Sequence, residues 1–247
     1  MNPSTASPLS ALRADLSKSG ALRPLWERIL DYGISALVLV ALLPLILVAF
    51  VLIKVISPGP VIFKQRRIGF NGEPFMIYKL RTMRLGAKTE THESHAVELI
   101  KKNRTLTKMD AMGDSRLIPF GRFLRASGID ELPQLVNVLK GEMSLVGPRP
   151  CVPAETEAFS PLDRRRFAAL PGITGLWQVS GKNALTFSEM IDCDIQYTMR
   201  KGPKMYLSIA FKTPFVLIQQ VLNSRESAAT AQLPGNTEAN LPSRIAS

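Results

Sequence analysis

Hydrophobic and polar positions are spread very unevenly along the chain. From Gly33 to Ile53 about 21 consecutive residues carry no charge, enough at 1.5 Å per residue to cross a hydrocarbon layer of about 30 Å. The run begins late, exceeds the usual signal-peptide h-region of roughly 7 to 15 residues and lacks a small-residue cleavage site, which argues against a cleaved leader. Both flanks are basic, with Arg23 and Arg28 before it and Lys54, Lys64, Arg66 and Arg67 after it. Positive-inside logic draws both ends to the cytoplasm. Pro44 sits mid-run, where its missing N–H bends or breaks a helix. A membrane helix that dips in, bends at Leu43-Pro44 and returns accounts for these features better than a simple spanning helix with a tolerated proline.

Downstream, Ser57-Pro58-Gly59-Pro60 signals a turn. Val61-Ile62-Phe63 and Phe75-Met76-Ile77-Tyr78 predict two short strands around the Gly69 to Gly72 turn. Residues 86–112 are polar and read as a surface helix and loop. His92 and His95 within it lack a metal-binding frame, so a solvated face is the simpler reading. From Phe120 to Gly147 the pattern is helical, closed by the loop Gly147-Pro148-Arg149-Pro150. A second loop, Pro171 to Gly175, precedes a predicted strand at Leu176 to Val179. A mostly helical tail runs from Phe187 to about Asn223. Its apolar residues at Leu207, Ala210, Phe211, Phe215, Ile218 and Val221, with Lys201, Lys204 and Lys212, suit an interfacial amphipathic helix or a core-packed one. The expected organisation is a flexible lead-in over 1–22, a re-entrant membrane helix over 23–56, a cytoplasmic catalytic domain over 57–224 and a disordered polar tail over 225–247.

Composition sharpens this. With 46% hydrophobic and 21% charged residues, the 247-residue chain can bury a core, which excludes wholesale disorder. A net charge of +11 beside a mean hydropathy of +0.09 means that an apolar block coexists with a basic remainder suited to polyanions. Cys151 and Cys193 have no metal-binding or disulfide-framework spacing, so a reducing compartment is the default.

The densest chemistry lies between Arg125 and Gly141. Ser127 is placed to cap a helix, with Asp130 and Glu131 in its first turn and Lys140-Gly141 at its end. Carboxylates there complement the helix dipole, and a phosphate would bind at the same place. Arg125 lies about a turn earlier, and Arg149 is presented by a proline-fixed loop suited to bidentate phosphate recognition. Lys79, Arg81 and Arg84 follow the second strand as further cations. A carboxylate can attack phosphorus and form an acyl-phosphate when cations or Mg²⁺ neutralise the phosphate, and its neighbour can hold the metal.

Five motifs occur in one order: Lys64-Gln65-Arg66-Arg67-Ile68-Gly69, Tyr78-Lys79-Leu80-Arg81-Thr82-Met83, Asp130-Glu131-Leu132-Pro133-Gln134-Leu135-Val136-Asn137-Val138-Leu139-Lys140-Gly141, Met143 to Pro150, and Pro171-Gly172-Ile173-Thr174-Gly175. Together, over roughly residues 24–224, they resemble the bacterial sugar transferases of the monotopic phosphoglycosyl transferase family. The resemblance implies an α+β membrane-associated fold with a re-entrant N-terminal helix, a small β-hairpin, a catalytic helix and amphipathic interfacial helices. It implies transfer of a sugar-1-phosphate from a nucleotide diphosphate sugar, usually of uridine, to undecaprenyl phosphate, with release of a nucleoside monophosphate. This would start an exopolysaccharide or other lipid-linked glycan on the cytoplasmic face of the bacterial inner membrane. Asp130 matches the family nucleophile and Glu131 its assistant, the two holding Mg²⁺. Arg125, Arg149 and Arg81 match phosphate-binding or strand-motif cations, with Lys79 beside them.

The chain departs from the family in three places. Leu43 replaces a common Ser before the kink proline, implying a shallower kink. Leu170 replaces a basic residue, changing substrate contacts or shifting that role to Arg164 to Arg166. The segment Tyr206 to Ser208 lacks an Asp that many relatives carry. The competing reading is a membrane-tethered basic binding protein or scaffold without catalysis. Against a nucleic-acid partner, the cations are interleaved with prolines and carboxylates, and aromatics are only 7%. C-terminal helices beside a membrane suit a homo-oligomer or a flat lie on lipid equally.

Overall fold

A computed structural model describes residues 23–87, 116–181 and 184–230. The predicted lead-in, most of the polar segment 86–112 with both histidines, and the end of the tail lie outside the described residues.

Helix α1 (Leu25–Ile56) contains the whole uncharged block and is assigned as one helix through Pro44. Fully straight, it would be about 48 Å long. No residue from Ala36 to Val48 is buried, and Val40 is 72% exposed. Its two ends behave differently. Near the start, Asp31 is completely buried, pairs with Arg23, and accepts hydrogen bonds from the Ser144 hydroxyl at 3.0 Å, the Leu145 N–H at 2.8 Å and the Tyr206 hydroxyl. Glu27, also buried, receives Lys201 at 2.9 Å. Near the end, Ala49 and Ile53 pack with Val61, Leu80, Ile118 and Leu124. Both ends therefore rest on the same domain while the apolar middle stays uncovered.

The predicted strands form a hairpin longer than the apolar segments suggested. Strand β1 (Ile62–Ile68) pairs antiparallel with β2 (Pro74–Leu80), Ile62 opposite Leu80 and Ile68 opposite Pro74. Asn71 and Gly72, both at positive φ, make the turn. The charged residues of β1 had hidden its length, because one face is solvated. Helix α2 (Gly121–Ser127) and helix α3 (Gln134–Leu139) replace the long helix predicted after Phe120.

Strand β3 (Ser144–Val146) pairs parallel with β4 (Gly172–Thr174), a segment predicted as loop. The pairing depends on glycine. A Cβ on Gly147 would lie 2.2 Å from the Leu170 carbonyl oxygen, and one on Gly172 would lie 2.1 Å from the Gly147 nitrogen. Only Gly lets these two backbones approach so closely. Leu176 to Val179, predicted as a strand, is a single helical turn, α5 (Leu176–Val179), which follows α4 (Pro153–Glu157). A four-residue segment with three apolar positions fits either period, and here the turn carries Trp177 into the core beside Phe159, Phe167 and Phe187.

The tail is two helices. Helix α6 (Phe187–Arg200) starts at a reciprocal capping box between Thr186 and Glu189. Helix α7 (Pro203–Thr230) runs past the predicted end near Asn223. Tyr206 and Ile209 are buried against Val146 and Tyr197, whereas Phe211, Phe215, Ile218 and Leu222 form an exposed stripe. Helix α1 and the segment Pro203–Asn223 are both long and apolar enough to cross a membrane. Cys151 and Cys193 are free thiols, as expected.

Asp31 joins α1, β3 and α7 in one buried network. Asp31→Ala leaves the Arg23 charge and three donors without their acceptor, at a cost of about 3–5 kcal/mol. The detergent-solubilised variant is expected to melt well below the parent protein; an unchanged midpoint would show that this network does not hold α1 to the domain.

Candidate active site

Gly128, at φ 73°, ends α2 in the left-handed conformation. The chain then makes a single 3-10 turn, Ile129–Glu131, closed by Glu131 N–H to the Gly128 carbonyl at 3.0 Å and Leu132 N–H to the Ile129 carbonyl at 3.2 Å. Pro133 has no N–H to give the Ile129 carbonyl, so the tighter bond forms instead. The predicted capping by Ser127 is therefore corrected. Ser127 is the last residue of α2, and its hydroxyl donates back to the Leu124 carbonyl at 3.1 Å. Asp130 and Glu131 sit in their own turn between two short helices, not in the first turn of a long one.

The turn packs against β2. Asp130 is buried, while Glu131 is half-exposed and its Oε1 receives Lys79 Nζ at 2.7 Å. A pair this accessible adds little stability; it fixes where the Glu131 carboxylate lies. Strand β2 is held in turn by Asn137 of α3. Its amide oxygen accepts the Tyr78 N–H at 3.2 Å, and its amide nitrogen donates to the Met76 carbonyl and to Glu142, both at 2.7 Å. Side-chain amide bonds thus occupy the edge of β2 that β1 leaves open.

Arg125 lies on α2, just ahead of Gly128. Arg81, predicted to meet phosphate, is committed elsewhere. It is buried and donates to the Pro58 carbonyl at 2.9 Å and the Ser57 carbonyl at 2.5 Å, tying the end of α1 to β2. Arg164 and Arg166, expected to take over from a basic residue at position 170, are also buried and bonded within the fold. Leu43 and Pro44 lie in the uncovered middle of α1.

Arg149 belongs to a second cluster. Its Nη1 reaches both oxygens of Glu155, at 3.0 and 3.1 Å. Its carbonyl accepts Arg166 at 2.8 Å, and its N–H donates to Asp194 at 3.4 Å. Arg166 and Asp194 are themselves a buried ion pair. Arg67 donates to the Pro150 carbonyl at 3.0 Å. Burial, then the neighbouring Arg149 charge, lower the Arg67 guanidinium to about 10. The field of Glu131 also reaches it, so Arg67 lies electrostatically between the carboxylate turn and the Arg149 loop. Burial raises the Glu155 carboxyl, but Arg149 and Arg67 outweigh it and hold the group below its usual range.

Glu155, Asp194 and Arg67 were not among the residues assigned to the site from sequence. Asp194 did carry a signal. It falls on the buried face of α6 with Phe187, Met190, Ile191 and Tyr197, where a charged residue requires a partner. As metal donors, Asp130 and Glu131 supply two hard carboxylates on adjacent residues. No cluster of three or more His, Cys, Asp or Glu exists among the described residues. This donor set fits Mg²⁺, which keeps waters and takes one or two carboxylates plus phosphate oxygens.

Burial pushes the Asp194 carboxyl up from 3.8 to about 6, against the opposing pull of Arg166 and Arg149. The folded protein therefore takes up a proton between pH 6 and 4 that the unfolded chain does not. That group's contribution to stability grows as pH falls through this window, by about 1–3 kcal/mol. Asp194→Asn removes the titration, so the parent should gain thermal stability relative to the variant between pH 7 and pH 5. A constant difference in melting midpoint would contradict this.

Residues 22–220 match the family model described as bacterial sugar transferase. The chain is 37% identical over 206 residues to the exopolysaccharide production protein ExoY of Sinorhizobium fredii, covering 79% of this chain and 88% of that one. It is 40% identical over 214 residues to the UDP-glucose:undecaprenyl-phosphate glucose-1-phosphate transferase of Caulobacter vibrioides, covering 83% and 71%. Identity to the undecaprenyl-phosphate galactose phosphotransferase of Salmonella typhimurium is 35% over 195 residues, 78% of this chain and 40% of that longer protein. With most of its length matched, the chain belongs to the bacterial sugar transferase family.

Proposed function

We propose that this protein transfers a sugar-1-phosphate from a UDP-sugar to undecaprenyl phosphate, starting an exopolysaccharide or other lipid-linked glycan at the cytoplasmic face of the bacterial inner membrane. The observation that carries the reading is the buried Asp130 beside a Lys79-held Glu131, in a domain to which both ends of an uncovered apolar helix return. Relatives named for sugar-phosphate transfer to undecaprenyl phosphate support the substrate classes.

In the first step an Asp130 carboxylate oxygen attacks the phosphorus that bears the sugar. The bond to the bridging oxygen breaks, UMP leaves with that electron pair, and a sugar phosphate is esterified to Asp130 as an acyl-phosphate. In the second, a phosphate oxygen of undecaprenyl phosphate attacks the same phosphorus and the Asp130 carboxylate departs. Burial keeps water from competing with the acceptor for the intermediate. Mg²⁺, held by Asp130 and Glu131, would neutralise phosphate charge. Lys79 fixes the Glu131 carboxylate, while Arg125 and Arg149 are the cations we assign to the substrate phosphates. The Arg149 loop is suited to this because its backbone is gripped by Arg166, Asp194 and Arg67 before any substrate arrives.

The membrane helix enters and leaves on one side. What supports this reading is that Asp31 near its start and Ile53 near its end both rest on one domain.

Purified protein given labelled UDP-sugars and Mg²⁺ should release UMP and retain sugar phosphate on Asp130 until undecaprenyl phosphate is added. Asp130→Asn is expected to lower turnover by at least about a thousandfold. Residual activity above that level would remove Asp130 as the nucleophile.

A further inference from the structure

An almost wholly apolar groove of about 170 Å³ separates the second half of α1 from α2. Leu45, Val48 and Leu52 form one wall, Phe120 and Phe123 the other, and Ile129 lies among the lining residues. Ile129 is the residue before Asp130, in the same 3-10 turn. Resting on the function proposed above, we infer that this groove holds the first isoprene units of the lipid acceptor and so delivers its phosphate to the Asp130 turn.

Three observations select this occupant. One wall is the apolar helix itself, so a chain seated here comes from lipid and not from water. The groove is apolar, whereas cations occur beside its lining in the chain: Arg125 follows Leu124, and Lys79 is bound to Glu131 of the Ile129 turn. That is charge complementarity for an amphiphile with an apolar tail and an anionic head. The wall is also shaped in an unusual way. Phe120 adopts a left-handed backbone, φ 62°, disfavoured for a bulky residue, and its side chain is 68% exposed at the groove. A bilayer phospholipid satisfies the first two conditions, but its headgroup would occupy the acceptor's place beside Asp130. The acceptor is the amphiphile whose phosphate has to arrive there.

Two measurements test the assignment. The unaltered protein is irradiated with undecaprenyl phosphate carrying a diazirine in its first isoprene units, and the labelled residues are mapped by mass spectrometry. Labels on Val48, Leu52 or Phe123 support the groove; labels confined to the exposed stripe of α7, at Phe211, Phe215 or Ile218, overturn it. Separately, Leu52→Trp fills the groove, and Phe215→Trp adds the same bulk to the α7 stripe. For Leu52→Trp, the ratio of kcat/KM for undecaprenyl phosphate to the rate of UMP release without acceptor should fall at least about tenfold, because isoprene units shut out of an apolar groove forfeit several methylenes of burial. Phe215→Trp should leave the ratio unchanged. An unchanged ratio in Leu52→Trp, or an equal fall in both variants, overturns the assignment. UMP release without acceptor separates the two proposals: if the parent protein lacks it, the function itself has failed, and if it is present, only the groove is in question.

Discussion

The structure depends on how an apolar helix is tied at both ends to one domain. At the start of α1, Asp31 and Glu27 are buried carboxylates whose desolvation is offset by Arg23, Ser144, Tyr206 and Lys201. At its end, Arg81 reaches back from β2 to the carbonyls of Ser57 and Pro58, and Ile53 enters the core. These polar ties break if the helix slides or turns, so they fix its register against the domain. The residues between them stay uncovered. The Asp130 turn lies beside the second half of the helix, since Ile129 and Ala49 belong to one apolar cluster.

The site itself is built by short-range constraints. Gly128 and Pro133 isolate Asp130 and Glu131 in a single tight turn, Lys79 sets the Glu131 carboxylate, and Asn137 holds the strand that carries Lys79. The Arg149 loop has its main chain gripped by Arg67, Arg166 and Asp194. Charges that do not have to reorganise during reaction stabilise a developing phosphoryl charge most effectively. The buried ion pairs behind Arg149 fit that requirement better than they fit a role in stability, because buried pairs seldom repay their desolvation.

Much of this was legible in the sequence, and the limits have physical causes. The uncharged block, the hairpin around Gly69 to Gly72, the Asp130-Glu131 pair and the Gly-Pro-Arg-Pro loop all announce themselves by local period or turn chemistry. The 3-10 form of the Asp130 turn was not read, although Gly128 and Pro133 marked it, because the apolar period across Phe120 to Gly147 suggested one continuous helix. Strand β4 was missed because its three residues are paired only through the long-range fit of Gly172 against Gly147. Arg81 was grouped with phosphate-binding cations because a sequence shows a charge but not whether backbone carbonyls have already claimed it. Glu155 emerged only when folding brought α4 to the Arg149 loop, whereas Asp194 was marked by its place on the apolar face of α6.

The central claim is that α1 enters and leaves the membrane on one side, so that both of its ends serve one domain. The direct measurement places single cysteines at Leu25 and at Val55, with Cys151 and Cys193 replaced, and labels membrane vesicles of both orientations with an impermeant thiol reagent. Both residues are exposed in the structure, which leaves them open to the reagent. The account predicts that both positions label in inside-out vesicles and neither in right-side-out ones. Labelling of the two positions from opposite sides would contradict it.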